Sequence, residues 1–303
     1  MKGNFMVRLL MALLVLAVFG AYSYVHAAYT PYSGELEAAW SASAAPLEIA
    51  ATPAPEAAPE AAPVAPAEPT PEPTPDPTPE PTVDPESPAG RAAALGLPAP
   101  PDIDVTSWEY TLVNGDHSIG MYEPEQLAYL NQTGDATDIQ YSYNPNRCEI
   151  DARIAQPLLD MALGCRAAGL PIYLSSSYRS YSAQAANFRR VCENNGVSDG
   201  KLNGYYITMP AGCSEHQLAL CCDITDKYYE IKSADKVASP TLDWLREHCA
   251  EYGFILRFPE EKRDITGVMY ETWHFRYVGL EAAKYITENQ LCLEEFLALY
   301  GVE

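Results

Sequence analysis

The chain has 303 residues, carries 41 acidic against 19 basic side chains for a net charge of -22, and is 48% hydrophobic. A surface of that sign repels nucleic-acid phosphates and anionic headgroups, which excludes nucleic acid as a partner and leaves a membrane surface unattractive on electrostatic grounds. The apolar average hides a division, because Ala and Pro dominate the first third while Tyr, Leu, Ile and Trp concentrate after Trp108, so only the later part can bury a core.

Residues 1–28 read as an export signal. Lys2 and Arg8 flank the start, an apolar run follows from Leu9 to about Val25, and Val25-His26-Ala27 fits a signal-peptidase site. The run is also close to the lower limit for a spanning helix, so an uncleaved N-terminal anchor is the alternative. Either one places the remainder outside the cytoplasm, attached to a membrane only through this segment.

Residues 29–101 form a second region, disordered and rich in Pro, Ala and Glu. Pro69-Thr70-Pro71-Glu72-Pro73-Thr74-Pro75-Asp76 is typical of it. Proline removes amide donors and fixes φ, so the stretch can neither build ladders nor pack. In extended polyproline form, at ~3.1 Å per residue, some fifty such residues reach on the order of 150 Å. A spacer holding a domain within a thick wall suits that length; a proline-rich ligand for a partner domain is the rival reading.

Residues 102–303 hold the folded domain. Trp108 to Val113 alternates like a strand, and Asn114-Gly115-Asp116 signals a turn. Ile154, Leu158, Met161, Ala162 and Cys165 recur at helical spacing, giving an amphipathic helix over 151–168 that ends at Gly169. A strand over 171–175 and a helix over 180–194 follow. A buried strand over 220–225 comes next, then a helix over 241–252 stopped by Gly253. Strands over 254–258 and 273–278 precede closing helices at 280–286 and 291–300. Helices and strands that do not alternate strictly point to an α+β fold.

All eight cysteines fall in this domain, and in an exported chain disulfides are expected, with a local bridge from Cys213 to Cys221 or Cys222 among them. Cys165 is read as a small buried apolar residue. Among five histidines, His26 belongs to the export segment, His117 to a turn and His248 to a polar helix face. His216 and His274 remain. His216 lies seven residues before Asp223, and His274 three after Glu271.

These fragments, in this order, resemble the zinc D-alanyl-D-alanine carboxypeptidases of the VanY type, a family that also takes in vancomycin-resistance dipeptidases and hedgehog-like domains. The resemblance rests on Ser176-Ser177-Tyr178-Arg179-Ser180 with Gln184, on Ser214 to Asp223, on Tyr252-Gly253-Phe254 with Arg257, on Thr266-Gly267, on Glu271 to His274, and on Arg276-Tyr277-Val278-Gly279. It implies a small antiparallel-rich sheet flanked by helices. It also implies one zinc ion held by His216, Asp223 and His274, with Glu271 as general base, Arg179 on the developing oxyanion, and Gln184 and Ser214 holding the substrate's carboxylate. The substrate it implies is the peptidoglycan stem peptide, from which a D,D-carboxypeptidase removes the terminal D-Ala in the cell wall. L,D-carboxypeptidase or endopeptidase action on stems, and a non-catalytic wall-binding module, stand as alternatives.

Strand parity adds a constraint of its own. His216 and Asp223 are an odd number of residues apart and cannot both face inward from one regular strand, so His216 belongs in a turn and Asp223 on the strand after it. The same parity puts Glu271 in a bend ahead of His274. Ser177 and Ala219 stand where the family carries Gly, and Thr272 where it carries Pro; a position needing φ > 0 would be strained without Gly. A Cys/His structural zinc site using Cys213, Cys221 and Cys222 is the rival, and it leaves Glu271, Arg179 and Asp223 unexplained.

Overall fold

The computed structural model describes residues 83–130, 139–141 and 149–302. The export segment, the spacer up to residue 82 and Cys148 lie outside the described residues. In chain order the regular elements are α1 (Pro88–Ala94), β1 (Leu127–Tyr129), β2 (Gln140–Tyr141), β3 (Glu149–Asp151), α2 (Ala155–Ala167), β4 (Tyr173–Ser176) and α3 (Tyr181–Asn195). A short hairpin, β5 (Lys201–Leu202) with β6 (Tyr205–Tyr206), leads to β7 (Cys221–Thr225), α4 (Pro240–His248), β8 (Phe254–Leu256), α5 (Arg263–Thr266), β9 (His274–Tyr277), α6 (Leu280–Glu288) and α7 (Leu293–Leu299).

The fold is α+β, built on a mixed five-stranded sheet in the order β2-β4-β7-β9-β8. β2 is parallel to β4, and the other neighbours pair antiparallel. One face of this sheet is covered by α2, which forms because its apolar residues recur every three or four positions. Leu158, Leu159, Met161, Ala162 and Cys165 are buried from it into the main core. Each large side chain so buried contributes roughly 1.5–3 kcal/mol. At the far edge, α6 and α7 form a second core with Ile255 and Val278.

Two expectations from the sequence change. The alternation over 108–113 makes no strand: Trp108–Tyr110 is a 3-10 turn in which Thr111 N–H donates to the Trp108 carbonyl at 3.3 Å. The pattern there records side-chain burial, with Trp108 stacked 6.0 Å from Tyr277 and the Arg153 guanidinium 3.8 Å above its ring. No disulfide joins any two of the described cysteines, and Cys165, Cys192, Cys213, Cys221, Cys222, Cys249 and Cys292 are all buried. The helix expected over 241–252 is regular only to His248 and tightens to a 3-10 turn over Cys249–Tyr252. Gly253 then stops it at φ +82, a left-handed value that costs glycine little.

Folded structure begins ahead of residue 102. Ala92 on α1 is buried in the second core, Arg91 donates to the Leu299 carbonyl at 3.3 Å, and the Tyr285 and Tyr300 hydroxyls donate to the carbonyls of Pro98 and Pro101 at 2.6 and 2.5 Å. Residues 83–101 therefore belong to the domain.

A buried ionic network ties the sheet to α7. Arg257 donates to Glu215 at 2.7 Å and in bidentate fashion to Glu294 at 2.8 and 2.6 Å, while Arg276 donates to the same Glu215 oxygen at 2.7 Å and to the carbonyls of Glu109 and Thr111 at 2.8 and 3.0 Å. Planar guanidinium forks with every nitrogen donating to an oxygen are what make such burial tolerable.

A chain begun at residue 102 loses three hydrogen bonds of about 1 kcal/mol each, and its melting temperature is expected to fall by roughly 6–12 °C in a thermal scan. Glu215→Ala leaves the buried Arg276 guanidinium facing no carboxylate and Arg257 with Glu294 alone, and is expected to cost ~3–5 kcal/mol in urea unfolding. At Glu294, burial opposes the charged form but Arg257 outweighs it and holds the carboxyl below its ordinary value. That stabilisation is complete above the unfolded pKa of about 4.3 and disappears as pH falls through the lower folded value. Glu294→Gln should therefore flatten the loss of stability seen between roughly pH 5 and pH 3 in acid titrations of unfolding.

Candidate active site

The site is assembled on one face of the β7–β9 pair. Asp223 lies opposite His274 and Cys221 opposite Arg276 in the register, and residues two apart on a strand share a face. All four side chains thus stand on the same side, while Cys222 and Phe275 point into the main core behind. His216 comes from the 3-10 turn Glu215–Gln217 that leads to β7, and Glu271 precedes the bend ahead of β9. Both positions are those that strand parity requires.

The two imidazoles and the Asp223 carboxylate converge. Asp223 Oδ1 lies 3.4 Å from His216 Nε2 and 3.2 Å from His274 Nδ1, and the rings stand nearly perpendicular with centroids 5.0 Å apart. Each ring has its other nitrogen tied to an oxygen: His216 Nδ1 is 2.6 Å from the Ser177 carbonyl, and His274 Nε2 is 3.2 Å from Glu215 Oε2. Such outer partners fix ring orientation and leave one lone pair aimed at the common point. Two nitrogens and an oxygen bound tetrahedrally at about 2.0–2.1 Å lie about 3.3 Å from one another. The two spacings from the carboxylate to the imidazoles match that requirement, so these residues fit a divalent metal.

Cys221 belongs to the same cluster, with ligand atoms of His216, Cys221 and His274 all within 4.8 Å of one another. Lys232, from the loop after β7, ion-pairs with Asp223 Oδ2 and leaves Oδ1 facing the imidazoles. Glu271 Oε2 is 3.7 Å from His274 Nδ1, and its side chain keeps 20% of its exposure where those of the imidazoles keep less than a tenth. It stands on the open side of the cluster.

The electrostatics separate the two carboxylates. Burial would raise Asp223, but Lys232 and both imidazoles overcome it and hold the carboxyl well below the usual range. Glu271 is raised, chiefly by burial and also by Asp223. Burial disfavours charge on His216 and His274 too, yet Cys221, Asp223 and, for His274, Glu215 outweigh it and raise both. A pocket that pulls positive charge onto buried imidazoles is one that favours a cation.

Arg179 sits beside this centre, its amide donating to the His216 carbonyl at 2.9 Å and its guanidinium to Gln184 Oε1 at 2.5 Å. Gln184 is only 1% exposed, and its Nε2 donates to the Met209 carbonyl. Its amide thus braces the arginine from behind and does not face open space, unlike the carboxylate-holding position expected for it. Ser214 is buried one residue before Glu215. His117 is set apart, held 3.0 Å from Asn114 Oδ1 in its turn, and His248 pairs with Glu251 at 2.7 Å. Of the two residues replacing glycine, only Ala219 has a left-handed φ, at +59. Sequence reasoning missed Lys232, which no spacing marks, and the part played by Glu215, which adjoins His216 but shows its partners only in the fold.

The chain is similar to several known proteins. The profile of the VanY D-alanyl-D-alanine carboxypeptidase family matches residues 147–280. A D-alanyl-D-alanine carboxypeptidase of Enterococcus faecalis is 34% identical over 208 residues, 64% of this chain and 67% of that protein. The solved structure of the LdcB LD-carboxypeptidase is 32% identical, covers 62% of this chain and 84% of that one, and superposes with a TM-score of 0.53. A vancomycin-resistance D,D-pentapeptidase VanY variant solved in complex with Zn(II) is 31% identical over 63% of this chain and 99% of that one, with a TM-score of 0.49. With a family profile over four of the five strands of its central sheet, a relative at this identity matched over two thirds of that relative's length, and a buried donor cluster able to hold a metal, the chain belongs to the VanY family of D-alanyl-D-alanine carboxypeptidases and is a metallo-carboxypeptidase.

Proposed function

We propose that the protein is a zinc-dependent D,D-carboxypeptidase that hydrolyses the terminal D-Ala from peptidoglycan stem peptides outside the cytoplasm. The observation that carries this reading is the convergence of His216, Asp223 and His274 with Glu271 on their open side. Two borderline imidazoles with one harder carboxylate make a donor set that catalytic zinc sites use. The N-terminal export-type segment supports the location.

His216, Asp223 and His274 would hold the zinc, which when bound would supply Lewis acidity to the scissile carbonyl and to water. The residues of the chain do the rest. Glu271, with its carboxyl raised, accepts the proton of the attacking water and passes it to the departing amine of D-Ala. Asp223 stays ionised beside it, so the two carboxylates divide the work by environment. Arg179 presents a fixed guanidinium, held by Gln184, to the oxyanion that forms as the carbonyl becomes tetrahedral. Ser214 adjoins this centre and is the remaining residue assigned to the stem's terminal carboxylate.

A second reading, L,D-carboxypeptidase action on tetrapeptide stems, is favoured by the likeness to the LdcB LD-carboxypeptidase. Incubation of the full chain with pentapeptide and tetrapeptide stems, followed by mass spectrometry, separates the two. Release of D-Ala from the pentapeptide alone is expected, and cleavage of the tetrapeptide alone would establish the second reading. A chelator should stop release and added zinc restore it; turnover that survives chelation would refute the metal mechanism. Glu271→Gln is expected to retain metal while turnover falls by about 10²–10⁴-fold. Tight binding of stems with neither metal nor turnover would instead mark a non-catalytic wall-binding module.

A further inference from the structure

We propose that Cys221 is a further protein ligand of the metal, its thiolate joining His216 and His274 in one donor set. This rests on the metal reading given above and extends it to a residue the resemblance does not assign.

Position is the first argument. Cys221 and Asp223 occupy alternate residues of β7 and therefore face the same side, toward His274 and Arg276 on β9, whereas Cys222 between them is turned into the main core. The Cys221 sulfur and one nitrogen from each imidazole lie within 4.8 Å of one another, and all three residues are buried. No disulfide diverts it.

Charge and chemistry agree with position. Asp223 offers the cluster a single oxygen, because Lys232 engages the other, so the carboxylate binds through one atom and leaves room for another donor. Cys221 supplies it, losing its thiol proton to solvent as the metal enters. A thiolate makes the set softer than two imidazoles and a carboxylate, and it strengthens the preference for zinc over magnesium, calcium or manganese. Four protein donors would complete a tetrahedral shell, so one of them would have to yield its place to water for the reaction proposed above, and this ligation is that of the resting protein.

The test uses the reduced full-length chain loaded with Co(II) in place of zinc. A near-ultraviolet thiolate-to-cobalt charge-transfer band is expected in the unaltered protein and in Cys222→Ala. It should vanish in Cys221→Ala and Cys221→Ser while bound metal persists. X-ray absorption at the zinc edge should likewise find one sulfur at about 2.3 Å, lost in Cys221→Ser. Serine nearly matches cysteine in size, so this variant serves should the alanine form fail to fold, as circular dichroism would reveal. Metal bound without the band or the sulfur scatterer overturns the ligand role and leaves the metal reading standing. A band that survives both Cys221 substitutions assigns the sulfur to another cysteine and overturns it equally. A chain that takes up no metal at all removes both.

Discussion

The pairing of β7 with β9, Asp223 opposite His274, is the constraint on which the rest depends. In an antiparallel ladder the side chains of facing residues rise together from one surface, and those two residues onward do the same. A single register therefore delivers the Cys221 thiol, the Asp223 carboxylate, the His274 imidazole and the Arg276 guanidinium to one face. A slip of one residue would send all of them into the apolar core and bring Cys222 and Phe275 out. The core behind the sheet, with α2 laid across it, makes that slip prohibitive, so hydrophobic burial on one side specifies polar chemistry on the other.

So much ionised material under so little solvent is sustained by shared partners. Glu215 accepts from Arg257 and Arg276 through one oxygen and faces His274 with the other. Burial would raise this carboxyl, but the two arginines outweigh it and keep it ionised far below the ordinary range. The same residue thus neutralises the structural arginines and orients an imidazole of the site. Rigidity at His274 consequently reaches through Arg257 to Glu294 on α7, so the last helix of the domain braces the catalytic face without touching it.

Much of this was legible in the sequence because it follows from periodicity. The spacing of Leu158, Met161, Ala162 and Cys165 gives α2, and the odd interval between His216 and Asp223 forces a turn followed by a strand. The family resemblance supplies the remaining partners of the site. What stayed hidden depends on contacts between distant segments. Trp108 to Val113 alternates as a strand would, but no free ladder edge receives it, and Tyr277 and Arg153 claim Trp108 instead. Gln184 reads as a substrate contact, and only the fold shows that Arg179 and the Met209 carbonyl engage the two ends of its amide. Lys232 lies in a loop whose sequence carries no period, and only tertiary folding brings it to Asp223.

The packing of residues 83–101 changes how the domain meets the chain that precedes it. Proline has no amide hydrogen to offer but keeps its carbonyl, and two tyrosine hydroxyls of the last helical pair fasten onto just such oxygens at Pro98 and Pro101. Nineteen residues of proline-rich sequence are thereby reeled in, and at ~3.1 Å per residue they withdraw about 60 Å from whatever reach the spacer has. The fastening point sits on the second core, so tension applied at residue 83 would pull first on α1 and α7, and would reach the metal-binding face through Glu294 and through the Glu109 and Thr111 carbonyls that Arg276 holds.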